Sequence, residues 1–180
     1  MRRTWWSSLA LAAVLLAGCS GDPKPREPDP SGSETPKPSA TPPPLPEAAT
    51  QETAEGAASF VDHYADVLTY SSHTGDTLPL REASDPSCQG CATYADLFEE
   101  RHKAGGWRTG GAWTAGEVQV SQFGVDIALV TELKTGAGTV KENSDSEPRD
   151  FDQQSEVVTF VASYAGGKWT MLGFAAGDQT

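Results

Sequence analysis

The chain has 180 residues, 13 Lys and Arg against 25 Asp and Glu, a formal net charge of −12, and 13 prolines, ten of them before residue 51. Residues 51–180 hold 20 acids and 8 bases and are the length of one domain, so two globular domains are excluded, and so is a polytopic membrane protein, because only one apolar run exists, at the extreme N-terminus. An acidic domain repels phosphate, so no nucleic-acid partner is expected.

Residues 1–18 read as a signal peptide. Arg2 and Arg3 form a positive start, Trp5, Trp6 and Leu9 to Leu16 an apolar core, and Leu16-Ala17-Gly18-Cys19 follows. Small residues followed by a cysteine resemble the bacterial lipobox, in which the cysteine sulfur takes a diacylglyceryl group and becomes the new N-terminus. The run from Trp5 to Ala17 is 13 residues, short of the ~20 that span a bilayer. Lipidation at Cys19 is therefore expected, with the protein exported and held at the outer face of the cytoplasmic membrane. Two acyl chains give stable anchoring where one is marginal.

Residues 19–50 read as a disordered tether behind the lipidated cysteine. Ten of the 31 residues from Ser20 to Thr50 are proline and most others are small or charged, a composition that cannot bury enough apolar surface to offset its ordering entropy. Closely spaced prolines favour an extended stalk.

Residues 51–180 form the expected folded domain. A helix is predicted over 51–72, capped by Thr53 or Thr50, with a stripe through Val61, Tyr64, Ala65 and Leu68. Ser71 to Asp76 are expected to break it. Leu78 to Ala83 reads as a short second helix, and Cys91 to Lys103 as a third, ended by Gly105-Gly106. The period then changes to two. Strands are predicted over Trp113–Phe123, Val125–Lys134, Glu156–Ala165 and Lys168–Ala175, with hairpin turns at Gly124 and at Gly166-Gly167. Residues 135–152, Gly-rich and then acidic, read as a long connection. The predicted class is α+β, three N-terminal helices packed on a curved antiparallel sheet of about four strands.

That order resembles the cone-shaped NTF2-like (SnoaL-like) fold, most closely in SEVVTFVASYAGGKWTMLGFAA, where a Gly-rich turn, a Trp and an apolar finish close the hairpin. The whole chain also resembles a family of uncharacterised actinobacterial lipoproteins with a domain of unknown function, through its lipobox, its Pro-rich tether, the early helix GAASFVDHYADVLTYSSHTGDT and the central DPSCQGC block. The resemblance implies location and fold, and carries no activity.

Cys88-Gln89-Gly90-Cys91 is the sharpest local motif. In an exported chain the pair is expected to oxidise, and with Cys19 taken by lipid the remaining count is even. A structural clip is the leading reading. Thiol–disulfide exchange is a second, weakened because no buried strand precedes the motif. Zinc is a third, and lacks two further ligands, so no metal site is expected. His63 sits beside Asp62 and near Asp66 on what reads as the outer face of the first helix, His73 in a polar loop and His102 near a helix end. The acids at 142–152 lack calcium-loop spacing and read as a solvated loop.

NTF2-like enzymes place a polar group deep in the cone. The inward candidates for pocket lining here are Tyr64, Tyr94, Trp107, Trp113, Phe160, Tyr164 and Trp169, and no acid falls clearly on an apolar face. No cofactor and no catalytic residue is assigned. The expected function is a membrane-anchored accessory module of the cell envelope that binds an envelope protein or a small apolar ligand. The alternatives are a cone-fold isomerase or cyclase and, behind it, an envelope thiol oxidoreductase using Cys88 and Cys91. A homodimer is left open.

Overall fold

The computed structural model describes residues 41–120 and 126–177. All of them belong to one compact unit, Glu34–Thr180. The expected signal peptide, Cys19 and most of the tether lie outside the described residues, as does Gly124.

Helix α1 (Ala54–Thr74) begins where Thr53, in extended conformation, accepts the Gly56 N–H at 3.0 Å on its Oγ1. It buries Val61, Tyr64, Ala65 and Leu68, the predicted stripe, and Phe60 and Val67 beside them. The polar run from Ser71 does not break it. Thr74 Oγ1 donates to Tyr70 O and Ser72 Oγ to Thr69 O, so these side chains turn back on the helix's own carbonyls. The helix ends at Gly75, whose φ of +74° suits glycine. Helix α2 (Leu78–Glu82) carries Pro79 in its first turn. Helix α3 (Gln89–Lys103) starts at Cys88 and ends in Arg101, His102 and Lys103, cations placed where the helix dipole favours them.

Eight strands follow among the described residues: β1 (Trp107–Gly110), β2 (Trp113–Ala115), β3 (Gln119–Val120), β4 (Asp126–Thr135), β5 (Gly138–Lys141), β6 (Arg149–Phe151), β7 (Gln154–Ala165) and β8 (Lys168–Ala176). They form two antiparallel sheets. In the larger, β2 and β3 both pair with β4, followed by β7 and β8. In the smaller the order is β1-β5-β6. This corrects the predicted fold class of three helices on one sheet of about four strands. The second sheet was invisible because its strands are three or four residues long and rich in Gly, Thr and charge (WRTG, GTVK, RDF), too short to show a period of two. The expected connection over 135–152 therefore contains β5 and β6. The expected strand from Trp113 is split into β2 and β3, its last residues lying outside the described ones.

The core lies between the helices and the larger sheet. Ile127, Leu129, Thr131 and Leu133 alternate inward on β4, opposite Phe160 and Ala162 on β7 and Met171 on β8. A register shift between Val161 and Ala162 interrupts the β7–β8 ladder, a device that bends a strand. The outer edge of β8 is covered by the α2–α3 connection, where Asp85 N donates to Met171 O and Met171 N to Ala83 O. Tyr64, fully buried, bonds Ser84 Oγ at 2.9 Å beneath that cover.

The folded part begins ahead of α1. A 3-10 turn at Ala48–Thr50 buries Ala49, Tyr164 Oη donates to Thr50 O at 2.8 Å, and Trp169 Nε1 to Gln51 O at 2.9 Å. Among the described residues no helix is long and apolar enough to cross a membrane.

Cys88 and Cys91 are joined by a disulfide and are 3% and 2% exposed. It staples the first turn of α3, where the Cys91 N–H points at Cys88 Sγ. Closing so short a loop is worth about 2 kcal/mol in the chain-entropy model. The Cys88→Ala/Cys91→Ala double variant is therefore expected to melt roughly 4–10 °C lower by calorimetry; an unchanged melting temperature would show that the clip adds nothing.

Candidate ligand-binding cleft

The chain passes from the smaller sheet to the larger at Gly110 and Gly111, with φ of +66° and +63°. A Cβ on Gly111 would stand 2.5 Å from Arg108 Nη2 and 2.6 Å from the Phe151 ring, and one on Gly138 also 2.6 Å from that ring. Glycine is required because the Phe151 ring, opposite Gly138 in the β5–β6 register, lies over these backbone positions. The same close approach sets Arg108. Its guanidinium carbon is 4.4 Å from the ring centroids of both Phe151 and Trp113. His73 fixes the turn from the other side, its Nε2–H donating to Gly110 O at 2.7 Å.

Two cavities meet here. One, of about 230 Å³, is walled by Leu68, Leu133, Val158, Phe160 and Phe174. The other, of about 290 Å³, is walled by Arg101, Arg108, Arg149, Glu142 and Phe151. Tyr94, Trp113 and Glu156 line both. Taken singly each falls below the ~300–1,000 Å³ usual for small-molecule sites, and as neighbours with shared walls they offer one cleft, apolar at one end and basic at the other. Tyr94 belongs to a ring cluster, with centroids 5.8 Å from Phe98 and 5.5 Å from Phe174. Its hydroxyl makes no hydrogen bond among the described residues.

The electrostatics are uneven. Arg101, its side chain 8% exposed, pairs through Nε with Glu142 at 2.9 Å, and Arg149 reaches the other oxygen of Glu142 at 3.4 Å. Arg108 has no carboxylate within ion-pair distance among the described residues. One of its nitrogens, Nη2, donates to Gly111 O at 3.2 Å, and Nε is buried with no partner. Loss of water, and then repulsion from Arg101, push its pKa down to about 10. A cation held half-buried without a counter-charge is costly.

Of the seven predicted lining residues, the cleft brings together Tyr94, Trp113 and Phe160. Tyr64 is core. Tyr164 and Trp169 meet edge to face, their ring centroids 5.0 Å apart, beside the 3-10 turn, and Trp107 lines neither cavity. The arginines, Phe151 and Phe174 were not picked out by the sequence reading. A signal existed: three of the four arginines after residue 50 line this one cleft in an otherwise acidic domain. The buried sulfurs of Cys88 and Cys91 favour the clip over thiol exchange, which needs access. His63 is not on a solvated face. It is buried, with Nδ1 lacking a partner, beside the separate groove between α1, α2 and Leu45. His73 lies in the last turn of α1, and His102 Nε2 donates to Ser72 O at 3.1 Å.

Gly111→Ala is expected to displace Arg108 and Phe151, lowering stability by about 1–3 kcal/mol and shifting the Trp113 indole N–H resonance; an unmoved resonance would separate the turn from the cleft. Loss of water also lowers the pKa of His63 and His73 below the ordinary value of 6.5. Their neutral forms fit the fold, so this contribution is present above about pH 6.5 and is lost as pH falls through the folded pKa values. The melting temperature should thus fall between pH 7 and pH 5, and less steeply in His63→Leu; equal slopes would remove His63 from the acid response.

Among solved structures, the chain is similar to the intermembrane space region of chloroplast protein ARC6, at 11% identity and a TM-score of 0.52, over 69% of this chain and 95% of that one. That likeness concerns the fold alone and does not show the expected NTF2-like cone. An uncharacterized protein with a cystatin-like fold from Caulobacter vibrioides also matches, at 10% identity and a TM-score of 0.44, over 69% of this chain and 92% of that one. No curated protein matches the chain. The model of a family of unknown function (DUF6318) matches residues 30–175, and the chain belongs to that family.

Proposed function

We propose that this protein is an actinobacterial lipoprotein, held at the outer face of the cytoplasmic membrane through lipid on Cys19, whose folded unit is a ligand-binding accessory module of the cell envelope. The lipobox pattern and the proline-rich stretch support the anchor and the stalk. The observation that carries the binding reading is Arg108: a desolvated guanidinium without a carboxylate, stacked on two rings in an open cleft. Burying such a charge unpaired lowers stability, and groups kept at that cost cluster at functional sites. A small molecule bound between Tyr94, Trp113 and the arginines would supply the missing partner.

Two measurements test the two halves. Expressed in an actinobacterial host, the full chain should partition into the detergent phase and its Cys19→Ser variant into the aqueous phase; a variant that still partitions with detergent defeats the anchor. In ¹H–¹⁵N spectra of residues 34–180, the unit that holds the whole described core, a library of small molecules should contain some that shift the Trp113 indole resonance. The Trp169 indole, bonded to Gln51 O, should stay in place. A library that leaves Trp113 unmoved defeats the module reading.

A further inference from the structure

We propose that the ligand of this cleft is a single-chain amphiphile, its anionic head, carboxylate or phosphate, held by Arg108 and Arg101 and its short apolar tail lodged between Phe160, Phe174 and Leu133. The inference rests on the binding reading above and names the ligand's chemistry.

Four observations converge. The two cavities differ in character and share walls, so one molecule reaches both only if it is apolar at one end and polar at the other. The polar end is basic in a protein of net charge −12. Three guanidinium groups face two carboxylates there, Glu142 and Glu156, and Glu142 is already bridged between Arg101 and Arg149. Arg108 is thus left with the unmatched positive charge, and a single anion balances it. Tyr94, at the junction, has a hydroxyl free of hydrogen bonds among the described residues and ready to donate to the same head.

The apolar end sets the tail. Its 230 Å³ is the space of seven or eight waters at roughly 30 Å³ each, enough for one short chain. Glu156, exposed at the seam of the two cavities, repels an anion and limits the charge the head can carry.

Calorimetric titration of residues 34–180 with octanoate, octyl phosphate, octanol, octyltrimethylammonium, acetate and inorganic phosphate tests this. Octanoate or octyl phosphate should bind at least tenfold more tightly than octanol, acetate or phosphate, and the tighter of the two identifies the head. Arg108→Met should weaken that binding at least tenfold, in keeping with a lost charge-assisted hydrogen bond. Glu156→Gln, an exposed change that spares the core, should tighten it two- to fivefold, and the gain should shrink in high salt. Should Arg108→Met not fold, the Glu156→Gln result decides alone. Octanol or the cationic amphiphile matching octanoate, or no gain in Glu156→Gln, overturns the anion assignment. If none of the six binds, the amphiphile inference falls. The module reading then stands if library compounds shift Trp113, and falls with it if they do not.

Discussion

Gly110 and Gly111 hand the chain from one sheet to the other through two successive left-handed residues, and the cleft depends on that handover. Neither Gly111 nor its neighbour Gly138 has a Cβ, so the Phe151 ring settles onto the backbone and the Arg108 guanidinium settles against the ring. The turn is held in place from behind by His73 at the end of α1. The short second sheet thereby becomes the support of the cleft, a use its small size would not announce. It contributes Arg108 and Phe151, the larger sheet contributes Trp113 and Phe160, and the helices contribute Tyr94 and Arg101.

Charge placement gives the same region its character. The domain spends most of its acids on the surface, where they keep it soluble and discourage polyanions. Three of its four arginines are concentrated at the cleft. Arg101 and Arg149 share Glu142, a pairing that holds both guanidinium groups in position and leaves Arg108 unneutralised. Swapping Arg108 for an apolar residue of similar length would remove a desolvation cost at the loss of two ring contacts, so stability alone is a poor reason for an arginine there.

The helices and long strands were legible because their patterns run for many residues. Thr53 caps α1 as read, Gly166-Gly167 turns the last hairpin with φ of +61° and +82°, and β4, β7 and β8 match their expected runs to within two residues. The second sheet was not legible: its strands are three or four residues long, β1 finds its partner β5 only about thirty residues on, and no local period records a partner so distant. The same holds for the cleft. Trp113 and Phe160 are readable as aromatics with an inward side, but Arg108 becomes a site residue only when β1 lies beside β2 and Phe151 arrives from β6. The outward placement of His63 failed because the stretch from Leu45 to Ala49, by composition a tether, folds back over α1.

That fold-back has a mechanical meaning. Tyr164 and Trp169 flank the Gly166-Gly167 hairpin and grip the backbone at Thr50 and Gln51. Any pull on the chain from its N-terminal side reaches this grip before it reaches α1. The tension passes sideways into the β7–β8 hairpin, whose ladder is among the longest in the molecule, and the helix is spared from being unwound end first. The cleft is lined farther along the same two strands, by Val158 and Phe160 on β7 and Phe174 on β8, so a pull from the N-terminal side meets the turn end of the hairpin before it meets the cleft.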